Sequence, residues 1–128
     1  MTPKLAAILF CDAAATAPDG KFTLYGLFDV IGCHKVPVRH PQFSIFWKLY
    51  SNQLGKVSVR IEKPDGSPLF TGPTLELREN PLGKHQGVFT LGGVEFPVSG
   101  DYRAVLLFND TTEIGSATVT IQDVASIQ

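Results

Sequence analysis

The chain has 128 residues, 44% of them hydrophobic and 18% charged, with a net charge of −1. That length sets a single domain, 1–128, large enough to bury a core without disulfide or metal staples. The balanced charge excludes a broad basic footprint for nucleic acid, and no apolar run approaches the ~20 residues of a membrane span.

The N-terminal stretch 5–14 is apolar and strand-length. Lys4, the seven apolar residues 5–11 and Ala13-Ala14-Ala15 match a secretory leader only minimally: Asp12 interrupts the apolar segment, and the cleavage region runs into a turn. Ala17-Pro18-Asp19-Gly20-Lys21 is strong turn chemistry, with Pro presetting φ and Gly free to take the left-handed conformation. It joins 5–14 to the β-rich run 22–31, so the reading is a first hairpin, and a cytoplasmic protein follows. In that register Cys11 faces a residue near Phe28 and not Cys33, which predicts two reduced, buried thiols.

A Pro-containing loop, 32–42, precedes a strand over 43–50 in which Phe43, Ile45, Trp47 and Leu49 share a face. In 56–62, Val57, Val59 and Ile61 alternate with Lys56, Ser58, Arg60 and Glu62, the period of a strand with one wet face. Lys63-Pro64-Asp65-Gly66-Ser67 repeats the turn chemistry. A short strand at 69–70, an alternating one at 74–79 and another at 87–91 follow. Gly92-Gly93 is predicted to bend or bulge the chain before 94–96. The run 102–108 is apolar on both faces except at Arg103, which predicts a central or covered strand. Residues 109–112 turn the chain into a last strand over 114–121.

No stretch has a 3.6-residue apolar period. About eight short strands predict an all-β fold, a two-layer antiparallel β-sandwich. Gly100 two residues before Tyr102 fits a tyrosine corner and an immunoglobulin-like layout. The order of Asp12, Asp19-Gly20-Lys21, Gly26-Leu27-Phe28-Asp29, His40-Pro41, Asp65-Gly66 and Phe96-Pro97-x-x-Gly100-x-Tyr102 resembles a family of small uncharacterised bacterial β-sandwich domains, classed only as a domain of unknown function. The resemblance implies a β-sandwich in a bacterial cytoplasm and carries no catalytic residue.

Cys33, His34 and His40 fall within eight residues and are candidate zinc ligands, but their spacing matches no zinc motif. No nucleophile elbow and no phosphate loop is present. The residues therefore predict no cofactor and no catalysis. More telling are aromatic rings that a two-layer fold cannot all bury. Tyr25, Phe46, Trp47 and Tyr50 are the candidate partner- or ligand-binding residues. The expectation is a non-catalytic protein-interaction or structural module that binds itself or another protein. The alternative is a small-ligand, carbohydrate-like binder, with a zinc-dependent enzyme less favoured.

Overall fold

Both Pro-Asp-Gly turns close as their chemistry requires. The Gly20 N–H donates to the Ala17 carbonyl at 2.9 Å and the Gly66 N–H to that of Lys63 at 2.9 Å, each glycine at a φ near +90° (87° and 89°). Asp65 accepts from the hydroxyl and N–H of Ser67, which hold its carboxyl below the ordinary carboxylate range.

The computed structural model describes residues 3–124; of the expected domain 1–128, residues 1–2 and 125–128 lie outside the described residues. Among the described residues there are nine strands: β1 (Lys4–Thr16), β2 (Phe22–Phe28), β3 (Val30–Cys33), β4 (Val38–Tyr50), β5 (Lys56–Glu62), β6 (Pro68–Glu76), β7 (Lys84–Phe96), β8 (Gly100–Phe108) and β9 (Thr112–Asp123). They form a four-stranded sheet, β2-β1-β4-β7, and a five-stranded sheet, β3-β9-β8-β5-β6. The all-β expectation holds.

Three boundaries differ from the sequence reading. The run 22–31 breaks at Asp29, where the chain crosses from the first sheet to the second. There the Asp29 carbonyl accepts from the Thr120 N–H, and β3 lies parallel to β9, so the fold is not wholly antiparallel. The Pro-containing loop shrinks, because β4 already begins at Val38. Pro41 is tolerated there because β4 pairs only with β7 at that point, β1 joining it from Ser44 onward. The pieces at 69–70 and 74–79 merge into β6, an edge strand with a register shift around Gly72-Pro73, and 77–79 fall outside it. At Gly92-Gly93 the expected irregularity is a bend and not a bulge: the β4–β7 ladder keeps one register from Val38↔Phe96 to Tyr50↔Lys84, but the Pro41–Gly93 pair is skipped, Gly93 has a φ of +67°, and the core-facing parity switches between Leu91 and Phe96.

The two sheets share one core. Phe43, Ile45, Trp47 and Leu49 of β4 meet Val57, Val59 and Ile61 of β5, Tyr102, Ala104, Leu106 and Phe108 of β8, and Val119 and Ile121 of β9. These are the alternating inward positions, the period-2 pattern that a sheet with one buried face imposes. The other face of β8 is also covered: Val105 and Leu107 are buried at the centre of the sheet. Beside them Glu62 pairs with Arg60 at 2.7 Å and Arg103 at 3.4 Å, and Arg103 also bonds Glu113.

The tyrosine corner is present. The Tyr102 hydroxyl donates to the Val98 carbonyl at 2.7 Å and accepts from the Val98 N–H at 3.1 Å. Its ring packs edge-on to Phe96, 4.9 Å between centroids. Tyr102→Phe keeps the ring and removes both bonds at once, so it is expected to cost about 1–2 kcal/mol in chemical denaturation without changing the fold.

Candidate functional site

The first sheet is not flat. Phe28 of β2 stacks into the core against Phe10 and Phe43, with centroids 6.0 and 6.2 Å away. Phe22, at the other end of the same strand and with the same parity, lies 5.8 Å from Phe46, edge to face. Phe46 points away from the core, between the inward Ile45 and Trp47. Both contacts hold because the β1–β2 hairpin bends near Gly26, where the pair with Asp12 is skipped, and carries Phe22 to the outer face of β4.

Burial agrees with this curl. Cys11 and Ser44 are paired on the same outer face, yet both are buried, and the Ser44 hydroxyl meets that of Thr90 at 3.0 Å. Gly26 sits where the hairpin bends, with φ +66° and its backbone against the Asp12 side chain, which a Cβ would force to move. Burial raises the Cys11 thiol above its ordinary value, and the Asp12 charge adds to the effect. Both cysteines are free and buried, as expected.

Curling leaves an apolar surface along the hairpin. Tyr25 is 55% exposed, Leu27 60% and Leu9 41%. Leu9 and Leu27 border a shallow recess of about 250 Å³. Phe22–Phe28 is an edge strand, bonded only to β1, and its sequence FTLYGLF contains no charge and no proline. Natural sheets usually blunt such an edge with Lys, Pro or a covering segment.

The four aromatic candidates do not form one site. Tyr25 is on the exposed hairpin, and Phe46 is half-buried beneath Phe22. Trp47 is fully buried, its indole packed on Phe89 and over Gly87, so it presents no ring face to a ligand. Tyr50 lies at the far end of the sheet, in the wall of a recess of about 600 Å³ formed with Lys4, Asn52, Gln53, Leu82 and Gly83. Leu9 and Leu27 were missed by the sequence reading. Their outward parity was legible, but the curl that exposes them was not.

Cys33, His34 and His40 are not brought together as ligands. Cys33 points into the core, His34 is exposed in the 34–37 bend, and His40 stacks on Phe28 and Phe43. Among the described residues no group of three or more His, Cys, Asp or Glu could hold a metal ion. No helix among them is long and apolar enough to cross a membrane.

DUF6941, a family of unknown function, matches residues 6–122. The chain is a member of that family. A comparison with curated proteins finds no match. Among solved structures, the crystal structure of Beta-D-glucoside glucohydrolase from Trichoderma reesei is similar over 94% of this chain, with a TM-score of 0.56 and 8% identity. The chain spans 19% of that enzyme's length, and the likeness concerns the fold alone.

Proposed function

We propose that this DUF6941 member is a non-catalytic interaction module, an immunoglobulin-like sandwich of a bacterial cytoplasm that associates with a second copy of itself through the β1–β2 hairpin. The observation that carries the reading is the uncharged edge strand β2, with Tyr25, Leu27 and Leu9 exposed beside it. An edge strand related to its copy by a two-fold axis pairs antiparallel with itself, so one surface serves both subunits. The neighbouring apolar side chains then come together and leave water. The core shared by two sheets and the Tyr102 corner support the immunoglobulin-like layout. The two free cysteines suit a reducing compartment.

Sedimentation equilibrium at micromolar concentration tests the association. The expected result is a dimer that Leu27→Lys converts to a monomer with an unchanged circular dichroism spectrum, because a charge on the edge opposes pairing. A wild-type chain that stays monomeric at all accessible concentrations overturns self-association, as does a dimer that Leu27→Lys leaves intact.

A further inference from the structure

We propose that the opposite end of the first sheet, around Tyr50, binds a small phosphorylated molecule that carries a flat ring. The ladder registers place Lys4 directly across from Tyr50 on one side and Lys84 directly across on the other. Directly paired residues point to the same face. That face is the outer one, since Leu5 and Leu49, the next pair along, turn inward. Lys48 projects from the same side of β4, across from Gln86.

Three lysines thus stand on the outer face beside Tyr50, Lys4 lining its recess and Lys48 and Lys84 lining another. None of the three makes an ion pair among the described residues. Among the described residues the outward positions of β4 and β7 beyond them hold no carboxylate, being Ser44, Phe46, Val88 and Thr90. Glu76 and Glu79 line one recess together with Lys84 and His85, but neither forms an ion pair with any of the three lysines. Strands lie about 4.8 Å apart, so Lys4 and Lys84 flank Tyr50 at a distance their flexible stems can close over its ring. In a chain of net charge −1, three lysines on one face without an ion pair are a local departure from good folding design, of the kind found at functional sites.

The recess supplies the remaining features. Tyr50 and the exposed Leu82 are its apolar walls, and the Asn52 and Gln53 side chains add amide donors. Lysine recognises phosphate as a point charge. Two or three lysines balance a dianionic phosphate, whereas a single carboxylate leaves them under-compensated. The ring of the ligand lies against Tyr50 while its phosphate sits between the lysines. This end is remote from the hairpin, so the inference stands or falls independently of self-association.

Calorimetric titration with phenyl phosphate, inorganic phosphate and benzoate tests the site at low salt. Phenyl phosphate is expected to bind saturably and at least about tenfold more tightly than either of the others. Lys84→Gln and Lys4→Gln should each weaken it about tenfold. Tyr50→Ala should remove the preference over inorganic phosphate, with thermal melting showing that each variant is folded. Absence of saturable binding up to about 10 mM phenyl phosphate overturns the proposal, as does binding that Lys84→Gln leaves unchanged or that benzoate matches. A lipid headgroup offers the same chemistry. Flotation with phosphatidylglycerol vesicles without binding of soluble phenyl phosphate would assign the lysines to a membrane surface and overturn the small-molecule site.

Discussion

Replacing Trp47 with Ala is expected to cost about 3–5 kcal/mol and to lower the melting temperature by on the order of 10–20 °C. The indole is fully buried and sits between Phe89, with centroids 5.9 Å apart, and the backbone of Gly87. Gly87 lies directly across from Trp47 in the β4–β7 ladder, and a Cβ there would come within 2.5 Å of Cζ2 of the indole. The glycine is thus the space that the ring occupies, a large side chain covering a bare stretch of the neighbouring strand. Trp47→Phe should cost far less, about 1–2 kcal/mol, because most of the volume is kept. The indole Nε1 finds no hydrogen-bond acceptor among the described residues, so that substitution also removes a buried donor without breaking a bond. Gly87→Ala alone should destabilise by crowding the ring. In a Trp47→Ala background the same methyl enters the vacated space, so the double variant should be more stable than the sum of the two single losses. Urea denaturation of the four chains measures that coupling; strict additivity would mean that the ring and the glycine are not packed as described.

The period-2 rows were readable because one side of each strand is dry. Residues 43, 45, 47 and 49, or 57, 59 and 61, are apolar for that reason, and they did form the core, but in 56–62 the face expected to be wet is covered too, with Ser58 and Glu62 buried. Turns were readable where a glycine must take a positive φ, as at Gly20 and Gly66. The doubly apolar run at 102–108 correctly implied a strand covered on both faces. What alternation cannot encode is which strand lies beside which. The break at Asp29 has no local marker, because the apolar run continues through it while the pairing partner changes from β1 to β9. The same gap hid the cationic row. Lys4, Tyr50 and Lys84 are separated by 46 and 34 residues and become neighbours only through two registers. Trp47 is the reverse case. Its parity already placed it inward with Phe43 and Leu49, and the core claims it; surplus aromatic character was a poor guide for that residue.

The second large effect is expected at Gly26. Gly26→Val should destabilise the chain by about 2–4 kcal/mol, since a β-branched residue is strained at a φ of +66° and its Cβ would overlap the Asp12 carboxylate. The loss should not be spread evenly. It falls on the bend that lets the β1–β2 hairpin curl back and bring Phe22 onto Phe46. Straightening the hairpin uncovers Cys11, whose thiol is both buried and held above its ordinary pKa in the native chain and is therefore slow to form thiolate. Cys33 belongs to the second sheet and packs in the shared core, so it serves as an internal reference. Alkylation at pH 8 followed by peptide mass spectrometry should find both cysteines protected in the wild type and Cys11 selectively modified in Gly26→Val. Equal labelling of the two would report global unfolding, and a protected Cys11 in a folded variant would show that the curl does not depend on this glycine. Because the proposed self-association surface lies on the same hairpin, the variant should also lose its dimer while its Tyr50 end keeps its affinity for phenyl phosphate. That split follows from the geometry: the bend at Gly26 and the ladder that aligns Lys4, Tyr50 and Lys84 lie at opposite ends of β1, and only the first depends on a positive φ.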